Sequence, residues 1–451
     1  MSQLDEAIAR YHKLIQSDSF RDLSWVGPLR ERMEAEQLSA GGRLLCPFLR
    51  PHFVTRRQFD TLVKTAEVLI SAVGRMQQMV LANPALLARL ELLPAEKMLA
   101  SIDPGYKAFE VTCRLDSHLA NGSLHLIHYN ADSPTGVAWA DGLSEIFYNS
   151  PPVKEFRKRY PLSKVSGKKH LLAALLGAYK QFRGVPKKPK IAIVEFRTAF
   201  SNTPSEFELF RDFFREEGYE VELVSPDQLE FRNGVLRKGS FEINLLYRRI
   251  SVQEFLQRFD LSHPMVQAYR ARAVCMVNSF RSELAHKKAF FGLLTDESLT
   301  QKFPAAERRA IAEHVPWTRL VSASKTTYKG KTVDLKEFIL KNREKLVLKP
   351  NDDYSGMGTF FGWEMDDAGW ERALRQATRS PYVVQEKVEP VRSVFPLENY
   401  GQLEFREMRV DLQPQAYLGK VLSCSSWLST GSTGFSSASG LAPTFILEST
   451  K

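Results

Sequence analysis

The spacing of apolar residues predicts helices in the first part of the chain. Over residues 59–80, apolar positions recur at i, i+3 and i+4, and the pattern returns over residues 84–93 after a turn. Such a stripe is typical of a helix that buries one face. We therefore predict a helical N-terminal region over residues 1–105.

After Tyr106 the pattern changes to short strands. A strand is predicted over residues 124–129, leading into a polar loop. Three more are predicted within residues 187–195, 219–229 and 243–250, with a helix that Gly218 ends between the first two. This order indicates a parallel, Rossmann-like layer, although no G-x-G-x-x-G fingerprint accompanies it. We predict a Rossmann-like substrate domain over residues 106–285.

The remaining residues, 286–451, are predicted to form a nucleotide-binding domain. A helical stretch over residues 252–291 leads into it. A strand at 345–350, a glycine loop, a helix around 370–377, a strand at 382–388 and further strands through Leu412, Tyr417 and Leu422 follow. The Ser/Thr/Gly-rich stretch 423–440 is predicted to be flexible or to cover a ligand. The fold class is α/β.

Composition fits a soluble protein of two or three domains. The chain has 451 residues, 43% apolar and 25% charged. The start lacks the apolar core of a secretory signal, and no run approaches the roughly 18 to 20 apolar residues that span a bilayer. The cysteines form no CxxC pair, so we expect buried thiols in a reducing compartment, the cytoplasm.

Charge and histidine spacing narrow the function further. The net charge of +10 is spread along the chain, so a phosphate-bearing small ligand explains it as well as a nucleic acid does. We expect small-molecule partners, no nucleic acid and no membrane, and the oligomeric state stays open. Neither a paired histidine spacing nor a GxSxG motif supports a zinc enzyme or a serine hydrolase.

Two segments of the C-terminal region suggest a nucleotide site. In LVLKPNDDYSGMG a strand delivers Lys349, followed by Ser355, Gly356 and Gly358 in a polar turn that suits phosphate groups. A plain hairpin turn would explain the glycines equally well. In YVVQEKVEP an apolar strand ends at Gln385, Glu386 and Val388, where free backbone groups could bind adenine.

Together these segments resemble the ATP-grasp superfamily. That resemblance assigns the phosphates to Lys349 and the glycine loop and the adenine to Gln385, Glu386 and Val388. The segment HKKAFFGLL is similar to a helix start in the same superfamily. It implies that Lys288 is the second phosphate lysine, with Lys287 at a frequent asparagine position.

The N-terminal half resembles the circularly permuted ATP-grasp proteins, which include glutathionylspermidine synthases. The matching segments are CRLDSHLANGSLHLIHYNADSPTG, SNTPSEFELF with Glu206, and FEINLLYRRI. The resemblance covers residues 113–447. It implies that ATP converts a carboxylate to an acylphosphate, which an amine attacks to give an amide.

The resemblance also implies site residues for this reaction. We assign Arg114, Asn130 and Asp132 to substrate binding, and Arg248, Arg249 and Arg409 to catalysis. Adjacent arginines on a strand face opposite ways, so at least one should reach the site. Glu407 and Asp411 share a strand face with Arg409 and are the candidate Mg²⁺ ligands, although a solvated charged face would look the same.

Two departures from the family pattern leave a second function open. The final segment has Gly434 where an asparagine is usual and keeps one of three glycines, Gly440. His128 stands where the motif usually has glutamate. The main prediction is an ATP-dependent carboxylate–amine ligase. The alternative is a degenerate ATP-grasp protein that binds nucleotide or a partner without ligase activity.

Overall fold

The structure, a computed structural model, describes residues 2–40, 42–120, 123–184, 188–196, 206–322, 324–352, 358–431 and 439–449. Its N-terminal part is mainly helical. The elements are α1 (Gln3–Ile15), α2 (Val26–Ala35), β1 (Ser39–Ala40), β2 (Arg43–Leu44), β3 (His52–Thr55), α3 (Arg56–Ala82), α4 (Pro84–Ala88) and α5 (Pro94–Ser101).

Helix α3 covers one face of a large sheet and confirms the helix predicted over residues 59–80. It begins with a capping box in which Thr55 and Gln58 satisfy each other's backbone amides. Every third or fourth side chain is buried against the sheet, as the apolar periodicity requires. These buried residues are Phe59, Leu62, Ala66, Leu69, Val73, Met76 and Val80.

The middle of the chain contributes strands to two different sheets. Its elements are β4 (Thr112–Ala120), β5 (Ser123–Asn130), α6 (Val137–Tyr148), α7 (Pro151–Arg157), β6 (Leu162–Lys164), α8 (Lys168–Arg183), β7 (Ile191–Val194), α9 (Glu206–Glu216), β8 (Val221–Val224), β9 (Glu230–Arg232), β10 (Val235–Lys238), β11 (Phe241–Glu242), β12 (Leu245–Arg248), α10 (Val252–Arg258), α11 (Pro264–Arg270), β13 (Cys275–Val277) and α12 (Glu283–His286).

The predicted Rossmann-like layer is present as a parallel sheet of order β13-β12-β7-β8. Its buried strands are near-continuous apolar runs, because helices cover both faces of such sheets. The carboxyl end of β12 carries Arg248 and Arg249. Ligands of open parallel sheets bind at this edge.

The C-terminal part adds a small sheet and completes the large one. Its elements are α13 (Ala289–Leu294), α14 (Glu297–Thr300), α15 (Ala305–His314), β14 (Thr318–Leu320), β15 (Lys325–Tyr328), β16 (Lys331–Asp334), α16 (Leu335–Lys341), β17 (Leu346–Pro350), β18 (Phe360–Phe361), α17 (Asp367–Ala377), β19 (Tyr382–Glu386), β20 (Arg392–Asn399), β21 (Gln402–Tyr417), β22 (Lys420–Ser429) and β23 (Gly440–Leu447). The small antiparallel sheet has the order β14-β19-β17-β18.

Around β4, the large sheet has one apolar and one polar face. Its order is β3-β23-β22-β21-β4-β5, with β20 joined to β21 and β6 joined to β23. Cys113 and Leu115 of β4 lie in the core under α3, so Arg114 between them faces the other side. Its partners on the neighbouring strands are Gln415 and Asn130. The polar face is therefore the floor of a candidate site.

Asn278, just after β13, fixes the parallel sheet against the large one. Its Oδ1 accepts hydrogen bonds from the backbone of Val111 and Thr112 at 3.0 and 3.1 Å. Its Nδ2 donates to the carbonyls of Thr112 and Ala131, both at 2.7 Å. These bonds bring the carboxyl edge of the parallel sheet to the start of β4 and the end of β5.

Several sequence-based predictions need correction or stay open. The stretch predicted as helical over residues 252–291 contains strand β13, because a short buried apolar run suits a strand or a helix equally well. Within 423–440, residues up to Ser429 form strand β22, and Ser423 and Ser425 there donate hydrogen bonds to Gln415 and Gln413. The domain limits 1–105, 106–285 and 286–451 stay predictions, and strands from both sides of residue 285 share the large sheet.

Two compositional expectations can be compared with the fold. All of the cysteines, Cys46, Cys113, Cys275 and Cys424, are free and buried, as predicted. Among the described residues, no helix is both long enough and apolar enough to cross a membrane.

Candidate active site

Lys349 of β17 points into a cleft between the small sheet and the large sheet. Its ammonium donates to Oε1 of Gln385 at 2.6 Å and to the carbonyl of Ile127 at 3.4 Å. Gln385 lies on β19, and its Nε2 donates to Thr318 at 3.0 Å, which sets the direction of the amide. The two segments that the sequence singled out therefore meet across paired strands.

The cleft has a volume of about 360 Å³. Glu386 and Val388 line it where β19 ends, and Arg409 lines it from β21, so several predicted site residues share it. His118 and Trp363 also line the cleft. No motif marked these two residues in the sequence, because they reach the cleft through the pairing of distant segments.

Positive charge gathers at the inner end of the cleft. Burial, together with the charges of Lys288 and Arg409, lowers the pKa of Lys349 to about 7. Lys288 precedes α13 and is fixed by Asn351, whose carbonyl accepts from the Lys288 amide at 3.0 Å. A polyanion between these cations would relieve their repulsion and favour the charged lysine.

The turn after Lys349 is described only in part. Ser355 and Gly356 lie outside the described residues. Gly358 has a φ of +68°, and a Cβ there would lie 2.9 Å from the hydroxyl of Tyr382. Glycine is therefore required at this position for both conformation and space.

Two histidines, His128 and His286, contact each other close to Lys288, Lys349 and Arg114. The rings of His128 and His286 meet edge to face, with centroids 5.6 Å apart. Nε2 of His128 and Nδ1 of His286 are buried and have no hydrogen-bond partner among the described residues. In the sequence, His128 departs from the motif, whereas no motif gives a role to His286, which lies far away in the chain.

Arg114 and Asn130 face each other as partners on β4 and β5. The guanidinium of Arg114 donates to both carboxylate oxygens of Asp116, at 2.7 and 3.0 Å, and to the carbonyl of Thr135 at 3.0 Å. Oδ1 of Asn130 is buried without a partner in the described part of the chain. The predicted substrate residues Arg114 and Asn130 thus lie together on the floor.

Arg249 is buried near the start of α6. Its Nη2 lies 3.8 Å from the carboxylate of Glu206, which accepts the backbone amides of Gly136 and Ala138. Its Nη1 donates to the hydroxyl of Tyr247 at 3.4 Å. Nε and Nη2 make no hydrogen bond to the described residues, so Arg249 retains donors for a ligand.

Arg248 and Asp132 are engaged with the protein itself. Nε of Arg248 donates to the carbonyl of Asn278 at 3.2 Å, Nη1 donates to that of Ile250, and Nη2 donates to Asp132. Asp132 also accepts the amide of Val252 at 3.0 Å. The structure therefore favours a structural role for this pair, whereas the sequence predicted substrate and catalytic roles.

Comparison with solved structures identifies the fold. The chain is similar to a glutathione synthetase-like effector from Globodera pallida in its apo form. The TM-score is 0.60 at 12% identity, over 94% of this chain and 97% of that chain. This chain has an α/β ATP-grasp fold. At that identity the likeness concerns the fold alone.

Other comparisons add no argument about function. A putative gamma-glutamylcysteine synthetase from Methylobacillus flagellatus has a TM-score of 0.39 at 11% identity, over 85% of each chain. A D-alanyl-alanine synthetase A from Vibrio cholerae has a TM-score of 0.31 at 10% identity, over 57% of this chain and 74% of that one. No family model and no curated protein matches the sequence.

Within this ATP-grasp fold, the predicted Mg²⁺ ligands do not converge. Asp411 accepts from Nε of Arg409 at 2.8 Å and lies 3.4 Å from Nδ1 of His118. The side chain of Glu407 is 63% exposed and lies 3.6 Å from Arg392. Four residues along a strand span about 13 Å, so Glu407 and Asp411 cannot share one ion. Glu407 and Asp411 therefore do not fit a shared Mg²⁺ ion. Binding of Mg²⁺ elsewhere in the protein stays a prediction from the resemblance.

The group of three carboxylates near the lysines already holds an internal cation. Oxygens of Glu96, Glu283 and Asp352 lie within 4.8 Å of one another. The ammonium of Lys287 lies 2.9 Å from Glu96 and 2.9 Å from Glu283, and it also donates to Asp352. Burial raises the pKa of Glu283 well above its usual value, while Lys287 opposes that shift. Lys287 is therefore a buried ion-pair centre.

Proposed function

We propose that the cleft binds ATP and that the protein is an ATP-dependent ligase that joins a carboxylate to an amine. The observation that carries the proposal is the partly buried ammonium of Lys349 beside Lys288 and Arg409, with two uncharged hydrogen-bond acceptors. A partly buried cation of this kind suits phosphate oxygens, which accept charge-assisted hydrogen bonds.

The proposed arrangement assigns each part of the ligands to a part of the cleft. The adenine edge would lie against the end of β19, where Gln385, Glu386 and Val388 line the cleft. The phosphates would lie at Lys349 and Lys288. ATP would supply the phosphoryl group that activates the carboxylate as an acylphosphate, which the amine attacks with release of phosphate.

The substrate carboxylate is proposed to lie on the polar floor. Arg249 retains donors there, and Arg114 and Asn130 are neighbours on β4 and β5. A guanidinium matches a carboxylate in two parallel hydrogen bonds, so it can hold the acid in line with the phosphoryl group. The relation to circularly permuted ATP-grasp proteins and to glutathionylspermidine synthases also belongs to this proposal and is supported by the motif segments alone.

The test is a screen for ADP release from ATP. Amino acids, small peptides and polyamines are supplied singly and in pairs, with Mg²⁺ present. We expect release that requires both a carboxylate and an amine. ATP binding without stimulated release by any pair would refute the ligase proposal.

A second candidate is a protein that binds nucleotide without ligating. The specific observation that favours it is the separation of Glu407 from Asp411, with Glu407 exposed. Phosphoryl transfer relies on charge neutralisation at the phosphates, and the three carboxylates that gather near these lysines are already paired with Lys287. The same screen decides between the two candidates.

A further inference from the structure

His128 and His286 form a pair that the proposed ligase reaction does not use. His286 is 5% exposed, and its Nδ1 is buried without a hydrogen-bond partner among the described residues, as is Nε2 of His128. An unpartnered buried polar nitrogen is costly, and a ligand would offset that cost.

The charges that face this pair are mainly positive. Burial lowers the pKa of His128 well below its usual value, and Lys288, His286, Lys349 and Arg114 lower it further. These cations come from α12 and the residues after it, from β17 and from β4, so they approach His128 from several sides.

Acidic groups also face His286. Burial lowers the pKa of His286, whereas Asp132 and Asp352 raise it, and Lys288 and Lys287 lower it. The carboxylate of Asp352 lies 3.8 Å from Nε2 of His286. The surroundings of the pair therefore favour neutral imidazoles when no ligand is bound.

The carboxylates around the pair are each held by an internal cation. Asp116 is bound by Arg114 through two hydrogen bonds. Asp132 is bound by Arg248, and Asp352 by Lys287. A divalent cation would have to compete with these ion pairs. Asp411, whose charge also acts on Lys349, accepts a hydrogen bond from Arg409 at 2.8 Å. The buried polar atoms of this region that lack a hydrogen-bond partner among the described residues include His128 Nε2, His286 Nδ1 and Asn130 Oδ1, which are imidazole and amide atoms.

We propose that His128 and His286 are ligand-binding residues that, with Lys288 and Lys349, hold the phosphate groups of a nucleotide directly, without a bridging divalent cation, and take up protons as they do so. This inference rests on the proposed ATP site. A phosphate oxygen accepts a hydrogen bond only from a protonated nitrogen, and its charge favours the imidazolium form. The family motif usually has glutamate at position 128, and a protonated histidine there would bind an anion instead.

The first experiment measures ATP binding by titration calorimetry in EDTA and in MgCl₂. Buffers of different ionisation enthalpy report the number of protons bound. We expect ATP to bind in EDTA at least as tightly as in MgCl₂, with net proton uptake. The affinity in EDTA should rise as pH is lowered from about 8 to about 6, through the range where imidazoles and the Lys349 ammonium titrate, and the histidine variants isolate the imidazole contribution.

The second experiment repeats the titration with single variants. We expect His128→Gln and His286→Gln each to weaken ATP binding in EDTA about tenfold, the scale of a hydrogen bond to a charged group, and to reduce proton uptake. His125→Gln is the matched control. His125 lies on the same strand, and its ring packs near that of His314 at 6.4 Å. The His125→Gln variant should bind ATP with wild-type affinity. Thermal unfolding checks that each variant folds.

The outcomes separate this inference from the ligase proposal. Binding that is lost in EDTA, or unchanged affinity and proton uptake in both histidine variants, would overturn the inference and leave the ligase proposal standing. Binding with proton uptake but without stimulated ADP release would sink the ligase proposal alone. An absence of ATP binding in both buffers would overturn both.

Discussion

The carboxylate of Asp132 lies against the guanidinium of Arg248, and the two side chains are 1% and 0% exposed. Arg249, the next residue, instead lies 3.8 Å from Glu206 and keeps two nitrogens without hydrogen bonds to described residues. Adjacent arginines of one strand end therefore have different environments. Two variants should separate a structural role from a functional one.

Arg248→Met should mainly destabilise the protein. It leaves the Asp132 carboxylate buried without its cation, which costs about 3 to 5 kcal/mol of unfolding free energy. Arg249→Lys keeps a charge opposite Glu206 but loses the planar fork, so it should fold normally and lose turnover with a raised KM for the carboxylate. Denaturant unfolding and steady-state kinetics measure the two effects. Equal stability loss in both variants would contradict this assignment.

Lys349→Met should weaken ATP binding by about 1.5 to 3 kcal/mol, because it removes a charge-assisted hydrogen bond to phosphate. Isothermal titration measures the affinity. The matched control is Lys331→Met on β16, where the lysine is exposed and does not line the cleft. Unchanged affinity in Lys349→Met would remove this lysine from the site.

Lys287→Met should lower the free energy of unfolding by about 3 to 5 kcal/mol, because three buried or partly buried carboxylates lose their common cation. Part of the loss should return at lower pH, where the carboxylates become protonated, or on addition of Ca²⁺, which prefers oxygen ligands. Thermal unfolding with and without CaCl₂ measures this.

The control for Lys287→Met is Lys341→Met, which breaks an exposed pair with Glu337. It should change stability little, since exposed pairs contribute about 0 to 1 kcal/mol. A Lys287→Met variant as stable as wild type would show that the carboxylates do not need this cation.

Stability should fall as pH is lowered below the ordinary histidine pKa of 6.5. Burial, assisted by Arg50, lowers the pKa of His52 to about 3 and that of His12 to about 4. Below pH 6.5 the unfolded chain therefore binds protons that the folded protein excludes, and the free energy of unfolding decreases.

Urea unfolding at pH values between about 6.5 and about 5 measures this dependence. His52→Gln should flatten it, whereas His170→Gln, at an exposed position, should leave it unchanged. Identical pH dependence in wild type and His52→Gln would rule out this histidine as the cause.

Local periodicity was enough to predict much of the secondary structure. The helix α3 and strands β5, β7, β17 and β19 follow from apolar spacing, because burial of one face or one run leaves a local trace in the sequence. The meeting of Lys349 with Gln385 was also predictable in outline, since both lie near the ends of strands in segments that resemble one superfamily.

The partners of those elements depend on pairing across the whole chain, which periodicity does not report. Apolar spacing shows that a face is buried but not which segment buries it. For this reason the sequence could not show that β4 and β5 share a sheet with β21, or that His128 meets His286. It also could not show that Lys287 is held by Glu96, or that Arg248 is committed to Asp132 while Arg249 is not. Each depends on side chains brought together by tertiary packing.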